Sequence, residues 1–153
     1  MKRPSPVFFE LWYCCKRAGL RIVEQPPLQW DLAFRARWQA AFGAPVAEWQ
    51  RRRREWELLG GEVAAQLSRD GAIGEFNRRR AEARRAYVTP SLESGSVFEV
   101  EGKLPDHEWW QRNACGGALY IVHGDWHWSF VMTPEAQSVG RGPYFVQNAT
   151  FTS

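Results

Sequence analysis

The stretch GGALYIVHGDWHWSFVMTPE, residues 116–135, decides how the rest of the chain is read. ALYIVH and WHWSFVMT are two β-rich runs, and Gly124-Asp125 between them is a two-residue loop with glycine first, the signature of a type II′ hairpin. That register places His123 opposite Trp126, Val122 opposite His127, Ile121 opposite Trp128 and Leu119 opposite Phe130. Leu119, Ile121, His123, Trp126, Trp128 and Phe130 are then expected on one face, and Tyr120, Val122, His127 and Ser129 on the other. His123 and His127 have the spacing of helical metal sites, yet this register points them to opposite faces, so no shared metal is expected.

Working outward from the hairpin, VFEVE (97–101) alternates and stops at Gly102, and YFVQNATF (144–151) reads as the last strand. LRIVE (20–24) is a short strand in the amino-terminal half. The remaining elements are helical. Ser5-Pro6 opens a first helix with Phe8, Leu11, Trp12 and Cys15 at helical spacing, and Gly19 closes it. Phe34, Trp38 and Phe42 mark one face of a second helix ending at Gly43. Pro45 reopens a third, with an apolar stripe of Trp49, Trp56, Leu59, Val63 and Leu67. Gly71 and Gly74 form a boundary before a polar helix near 75–86, and PDHEWWQRN (105–113) is a further helical stretch. The expected architecture is a single α+β domain over 1–153, with amino-terminal helices (1–86) packed on a carboxy-terminal, mainly antiparallel β-sheet (87–153).

Charge is uneven along the chain. Residues 1–34 carry five basic and three acidic groups, 35–85 twelve and seven, and 86–153 three and seven, so a basic front meets an acidic back. The run Arg51–Arg54 lies within the third helical stretch, where Arg51 and Arg54 fall opposite the stripe and Arg52 and Arg53 flank it. Glu48/Arg52 and Arg53/Glu57 are four apart, the pairing of a solvated helix face. Three cysteines, Cys14, Cys15 and Cys115, make an odd count with an adjacent pair, which argues against a disulfide scaffold. The start MKRPSPVFFELWYCC imitates a signal peptide, but Glu10 interrupts its apolar run, and no segment reaches the roughly 20 apolar residues of a spanning helix. A soluble, cytoplasmic protein with reduced thiols and no membrane association is the expectation.

No cofactor fingerprint is present, and His107, Cys115 and Asp125 stand without a metal-ligand frame, so neither cofactor nor metal is expected. For nucleophilic catalysis the candidates are Cys115 beside Gly116-Gly117, with His127 as base and Asp125 or Glu135 as orienter. The bland alternative for Cys115 is a small buried hydrophobe near a turn.

The segment from Trp128 onward, WSFVMTPE followed by GPYF, resembles a bacterial family known as a domain of unknown function, whose pattern is W-[ST]-[FY]-V-x-T-H-E and then G-P-Y-F. The matching residues are Trp128, Ser129, Phe130, Val131, Thr133 and Glu135, then Gly142, Pro143, Tyr144 and Phe145. RARWQAAF (35–42) is similar to that family's amino-terminal helix. Pro134 departs from the pattern where the family has histidine. The resemblance implies a small stand-alone bacterial α+β protein with no assigned activity.

Structure alone would account for the motif: Thr133 is expected to cap a turn begun by Pro134, and Gly142-Pro143 to set the last strand against the hairpin. Its functional alternative is an aromatic groove for a ligand or peptide, with Trp126, His127, Trp128, Glu135, Tyr144 and Phe145 as candidate binding residues. Three classes follow. The leading one is a non-enzymatic interaction protein, immunity-like or regulatory, that binds a protein partner. The second binds nucleic acid through the arginine-rich helices, with Arg51, Arg54, Arg78 and Arg79 as contacts. The third is a hydrolase or transferase using His127 and Cys115.

Overall fold

The computed structural model describes residues 6–23, 28–42, 66–90, 97–113, 118–132 and 143–148. Among them, helices α1 (Pro6–Arg17), α2 (Leu28–Phe42), α3 (Arg69–Arg79) and α4 (His107–Asn113) accompany strands β1 (Arg21–Val23), β2 (Gln66–Ser68), β3 (Arg85–Thr89), β4 (Phe98–Glu101), β5 (Leu119–His123), β6 (Trp128–Met132) and β7 (Tyr144–Gln147). The strands form one sheet in the order β1-β4-β3-β5-β6-β7-β2, with every neighbouring pair antiparallel. The fold is α+β.

Helix punctuation follows the sequence where local chemistry is strong. α1 ends as Gly19 enters the left-handed region (φ 93°), while the Leu20 N–H donates to Cys15 O at 3.1 Å and the Gly19 N–H to Lys16 O at 3.2 Å. Only a residue without Cβ takes that conformation cheaply. α4 starts at His107, one turn being set by Asp106, whose Oδ1 accepts the Trp109 N–H at 3.0 Å; Asn77 Oδ1 accepts the His107 N–H at 2.9 Å.

Elsewhere tertiary packing overrides local signals. Gly71 and Gly74, expected to separate elements, lie inside α3, which begins at Arg69 and passes through a 3-10 turn (Arg80–Glu82) before the chain extends into β3. The helix persists because Ala72 and Phe76 are fully buried against the sheet, and Phe76 stacks on Phe130 at 4.2 Å. That burial outweighs roughly 1 kcal/mol lost at each helical glycine. The polar helix expected at 75–86 is therefore shifted toward the amino terminus. Leu67, assigned to the apolar stripe of the third helix, instead belongs to β2, opposite Phe145 of β7. Trp49, Trp56, Leu59 and Val63 of that stripe lie outside the described residues.

The sheet is covered on both faces. On one, Leu11 and Cys15 of α1, Phe76 of α3 and Trp110 of α4 meet Val88, Ile121, Trp128 and Phe130. On the other, Phe34, Trp38 and Phe42 of α2 meet Tyr120, Val122, Val131 and Tyr144. This explains why β5 and β6 are buried at every position and carry apolar side chains on both faces.

The hairpin register differs from the expected one by two residues. Ile121 pairs with Phe130 and Val122 with Ser129, so residues 124–127 all belong to the connection. A shift of two preserves strand faces, so Leu119, Ile121, Trp128 and Phe130 share one face as expected. It does not preserve the faces of the turn residues. Trp126 takes a left-handed conformation (φ 64°) and swings its indole to the α2 side, between Phe34 (4.9 Å) and Tyr87 (5.6 Å), with the Arg37 guanidinium 4.6 Å over the ring. Burial of a large aromatic, with its cation–π contact, outweighs the cost of positive φ at a non-glycine residue.

Gly124 is confined for a different reason. Its N–H donates to Arg85 O at 2.9 Å, and a Cβ added there would lie 2.9 Å from that oxygen. Gly124→Ala is therefore expected to lower stability by about 1–3 kcal/mol through displacement of the β3–β5 edge, measurable as a reduced midpoint in urea with unchanged slope.

Candidate functional site

Four of the six candidate binding residues are core. Trp126 is 3% exposed, Trp128 0%, Tyr144 5% and Phe145 1%, and helices cover both faces of the sheet that carries them. The expected aromatic groove is thus filled by protein: Trp128 packs on Phe145 at 5.3 Å and Phe76 at 5.9 Å. His127 is half-buried on the turn. Glu135 and Cys115 lie outside the described residues, as do Arg51 and Arg54.

Arg78 and Arg79 lie at the end of α3, where both pair with Glu75; Arg79 Nε also reaches Glu82 at 3.0 Å. Hydrogen bonding from Arg78 holds the Glu75 carboxyl below the usual glutamate range. This is the internal pairing of a solvated helix face, and it leaves the two arginines partly neutralised.

The turn after β5 gathers chemistry that the expected register separates. His123 and His127 do not face opposite sides: their rings stack at 4.5 Å with a 9° interplanar angle. The four-residue connection returns His127 to the side of its neighbour. Donor atoms of His123, Asp125 and His127 all lie within 4.8 Å of one another. The turn is held from several directions. The Trp126 N–H donates to His123 O (2.8 Å), the Asn148 N–H to His127 O (3.0 Å) and Asn148 Nδ2 to Trp126 O (3.0 Å). Arg85 donates to Gly124 O (3.2 Å) and reaches Asp125 Oδ1 (3.4 Å) while also pairing with Glu99 (3.3 Å). A cavity of about 370 Å³ opens beside the turn, lined by Glu82, Arg84, Arg85, Glu101, His123, Gly124 and Asp125.

Burial pushes the His123 imidazole below its ordinary value of 6.5, and the neighbouring His127 pushes it the same way. Burial lowers His107 likewise. A folded-state value below the unfolded one means that the unfolded chain binds protons first, so this contribution to stability is present above pH 6.5 and is lost as pH falls below it. The melting temperature is expected to drop between about pH 7.5 and about pH 5.5, with a shallower drop in His123→Gln. An unchanged slope in the variant removes His123 as a contributor.

The two described cysteines are free and buried. Desolvation, with a smaller contribution from Cys14, pushes the Cys15 thiol up to about 12. Cys15 is expected to resist iodoacetamide in the native protein and to react only after denaturation, as read by mass spectrometry of tryptic peptides.

A second surface lies on α1. Phe9 and Tyr13, one turn apart, are 48% and 56% exposed, the only large hydrophobic side chains exposed to that degree among the described residues. Trp12 is half-buried next to them, in edge contact with Tyr13 at 5.0 Å and with Lys16 Nζ 5.1 Å from its ring centre. Phe9 and Tyr13 are not singled out by the sequence reading, although the available signal is that positions 9 and 13 fall off the Leu11/Cys15 stripe that faces the sheet. No helix among the described residues is long and apolar enough to cross a membrane. No family model, curated protein or solved structure gives a match to the chain.

Proposed function

We propose that the protein is a non-enzymatic interaction protein, immunity-like or regulatory, that binds a protein partner through α1. The observation that supports this is the exposure of Phe9 and Tyr13 on a helix whose other face is anchored in the core by Leu11 and Cys15. Two aromatic side chains on a rigid element lose little conformational freedom on docking and supply anchors for a pocket. Lys16 and Arg17 close the same helix and are exposed, so the complementary partner is a protein presenting an apolar pocket rimmed by carboxylates. The carboxy-terminal motif contributes by holding the sheet on which α1 rests.

Affinity capture from the native host with the wild-type chain, repeated with Phe9→Ala/Tyr13→Ala, tests the reading. A single stoichiometric partner, bound by wild type and weakened at least about tenfold by the double substitution with unchanged melting temperature, supports it. Capture that is indifferent to the substitution, or recovery of the chain alone, refutes it. The nucleic-acid reading is separated by salt: steep loss of RNA or DNA binding between about 50 and 200 mM salt would favour it instead.

A further inference from the structure

We propose that His123, Asp125 and His127 form a binding site for one divalent transition-metal cation, independent of the surface on α1. Their donor atoms already lie within 4.8 Å of one another. A shared ion with bonds of about 2.0–2.2 Å requires them to close by roughly an ångström. The three residues divide that task unequally. His123 is buried and packed on Trp128 at 5.6 Å, so it is the fixed member. His127 is half-buried and Asp125 exposed, so these two move. The two rings lie face to face with nearly parallel planes, so a shared cation, which must sit in the plane of each ring, requires the half-buried His127 imidazole to turn about its side-chain bonds toward the ion held by His123.

Two imidazoles with one carboxylate suit zinc, cobalt, nickel or copper ions, whereas magnesium and calcium prefer all-oxygen shells. Three protein ligands leave a coordination position open, and the adjoining cavity, which His123 and Asp125 both line, can hold a water or a small anion there. Asp125 is free to turn toward the ion because Arg85 retains Glu99 as an ion-pair partner when it releases Asp125.

The hydrogen bond inside the turn supplies a specific signature. His123 Nδ1 accepts the Asp125 backbone N–H at 3.0 Å, which places the ring hydrogen of the neutral imidazole on Nε2. Ligation through Nδ1 takes the lone pair that this N–H uses. Ligation through Nε2 moves the ring hydrogen to Nδ1 and removes the same acceptor. Either mode frees the Asp125 amide.

The test is calorimetric titration of the full chain with Zn²⁺ under reducing conditions, with Mg²⁺ as control and ¹H–¹⁵N spectra recorded alongside. One equivalent of Zn²⁺ without Mg²⁺ binding, a shifted Asp125 amide, and at least about tenfold weaker binding in both His127→Ala and Asp125→Ala bear the proposal out. Both positions lie off the core, and melting curves identify a variant that has lost its fold, in which case the other decides. Failure of wild type to bind Zn²⁺ overturns the site. So does binding that survives both substitutions, since that assigns the ion to the cysteines or elsewhere.

Discussion

Trp128→Ala is expected to destabilise the protein by about 3–5 kcal/mol, the range for removing a large aromatic from a packed core. The side chain is fully buried on the face where Phe76, Phe145 and His123 converge, and no helix can collapse into the space without leaving the sheet. Trp126→Ala is expected to cost a similar amount, because its indole lies among Phe34, Phe42 and Tyr87 and is only 3% exposed. The positive φ adds a discriminating control: Trp126→Gly should be less harmful than Trp126→Ala by about 1 kcal/mol, since glycine alone relieves the left-handed strain. Chemical denaturation of the three variants measures all of this. A Trp126→Ala protein close to wild type would place that indole at the surface.

The opposite face carries the second large effect. Trp38 is fully buried, and its Nε1–H donates to Ser129 Oγ at 3.0 Å, while that hydroxyl donates to Ile121 O at 3.2 Å. Trp38→Ala is expected to cost about 3–5 kcal/mol through the cavity it leaves under α2. Ser129→Ala removes only the oxygen, yet strands a buried indole donor, and about 1–3 kcal/mol is expected. In Trp38→Phe/Ser129→Ala neither polar partner remains, so the double variant should lose less than the sum of its singles. Additive losses in equilibrium unfolding would mean that the hydrogen bond contributes nothing by coupling the two.

Strand faces were legible in the sequence because alternation survives any register shift of two; Ile121 and Phe130 were placed correctly although their partners were not. The turn was not legible, since a glycine-first dipeptide signals a tight hairpin on local grounds. Only the α2 side of the core, distant in sequence, draws Trp126 into a left-handed conformation. The same displacement hid the proximity of His123, Asp125 and His127, three residues at alternate positions that a two-residue loop would separate. β2 was missed for a related reason. Leu67 fits a helical stripe by spacing, and its strand character depends on β7 nearly eighty residues later.

That distant pairing also governs how the chain can fold. Both outer strands of the sheet come from the amino-terminal half, and β1 and β2 attach to β4 and β7 respectively. A nascent chain therefore exposes α1, α2 and two strand segments long before their partners leave the ribosome. Closing such long loops is slow compared with forming local hairpins. Strands β3 to β7 pair with one another over shorter sequence separations than β1 and β2 need to reach β4 and β7, so they offer the template that the amino-terminal segments join last. Until then the apolar faces of α1 and α2 stay uncovered, and a holdase engaging them during synthesis would act at the stage when aggregation is most dangerous.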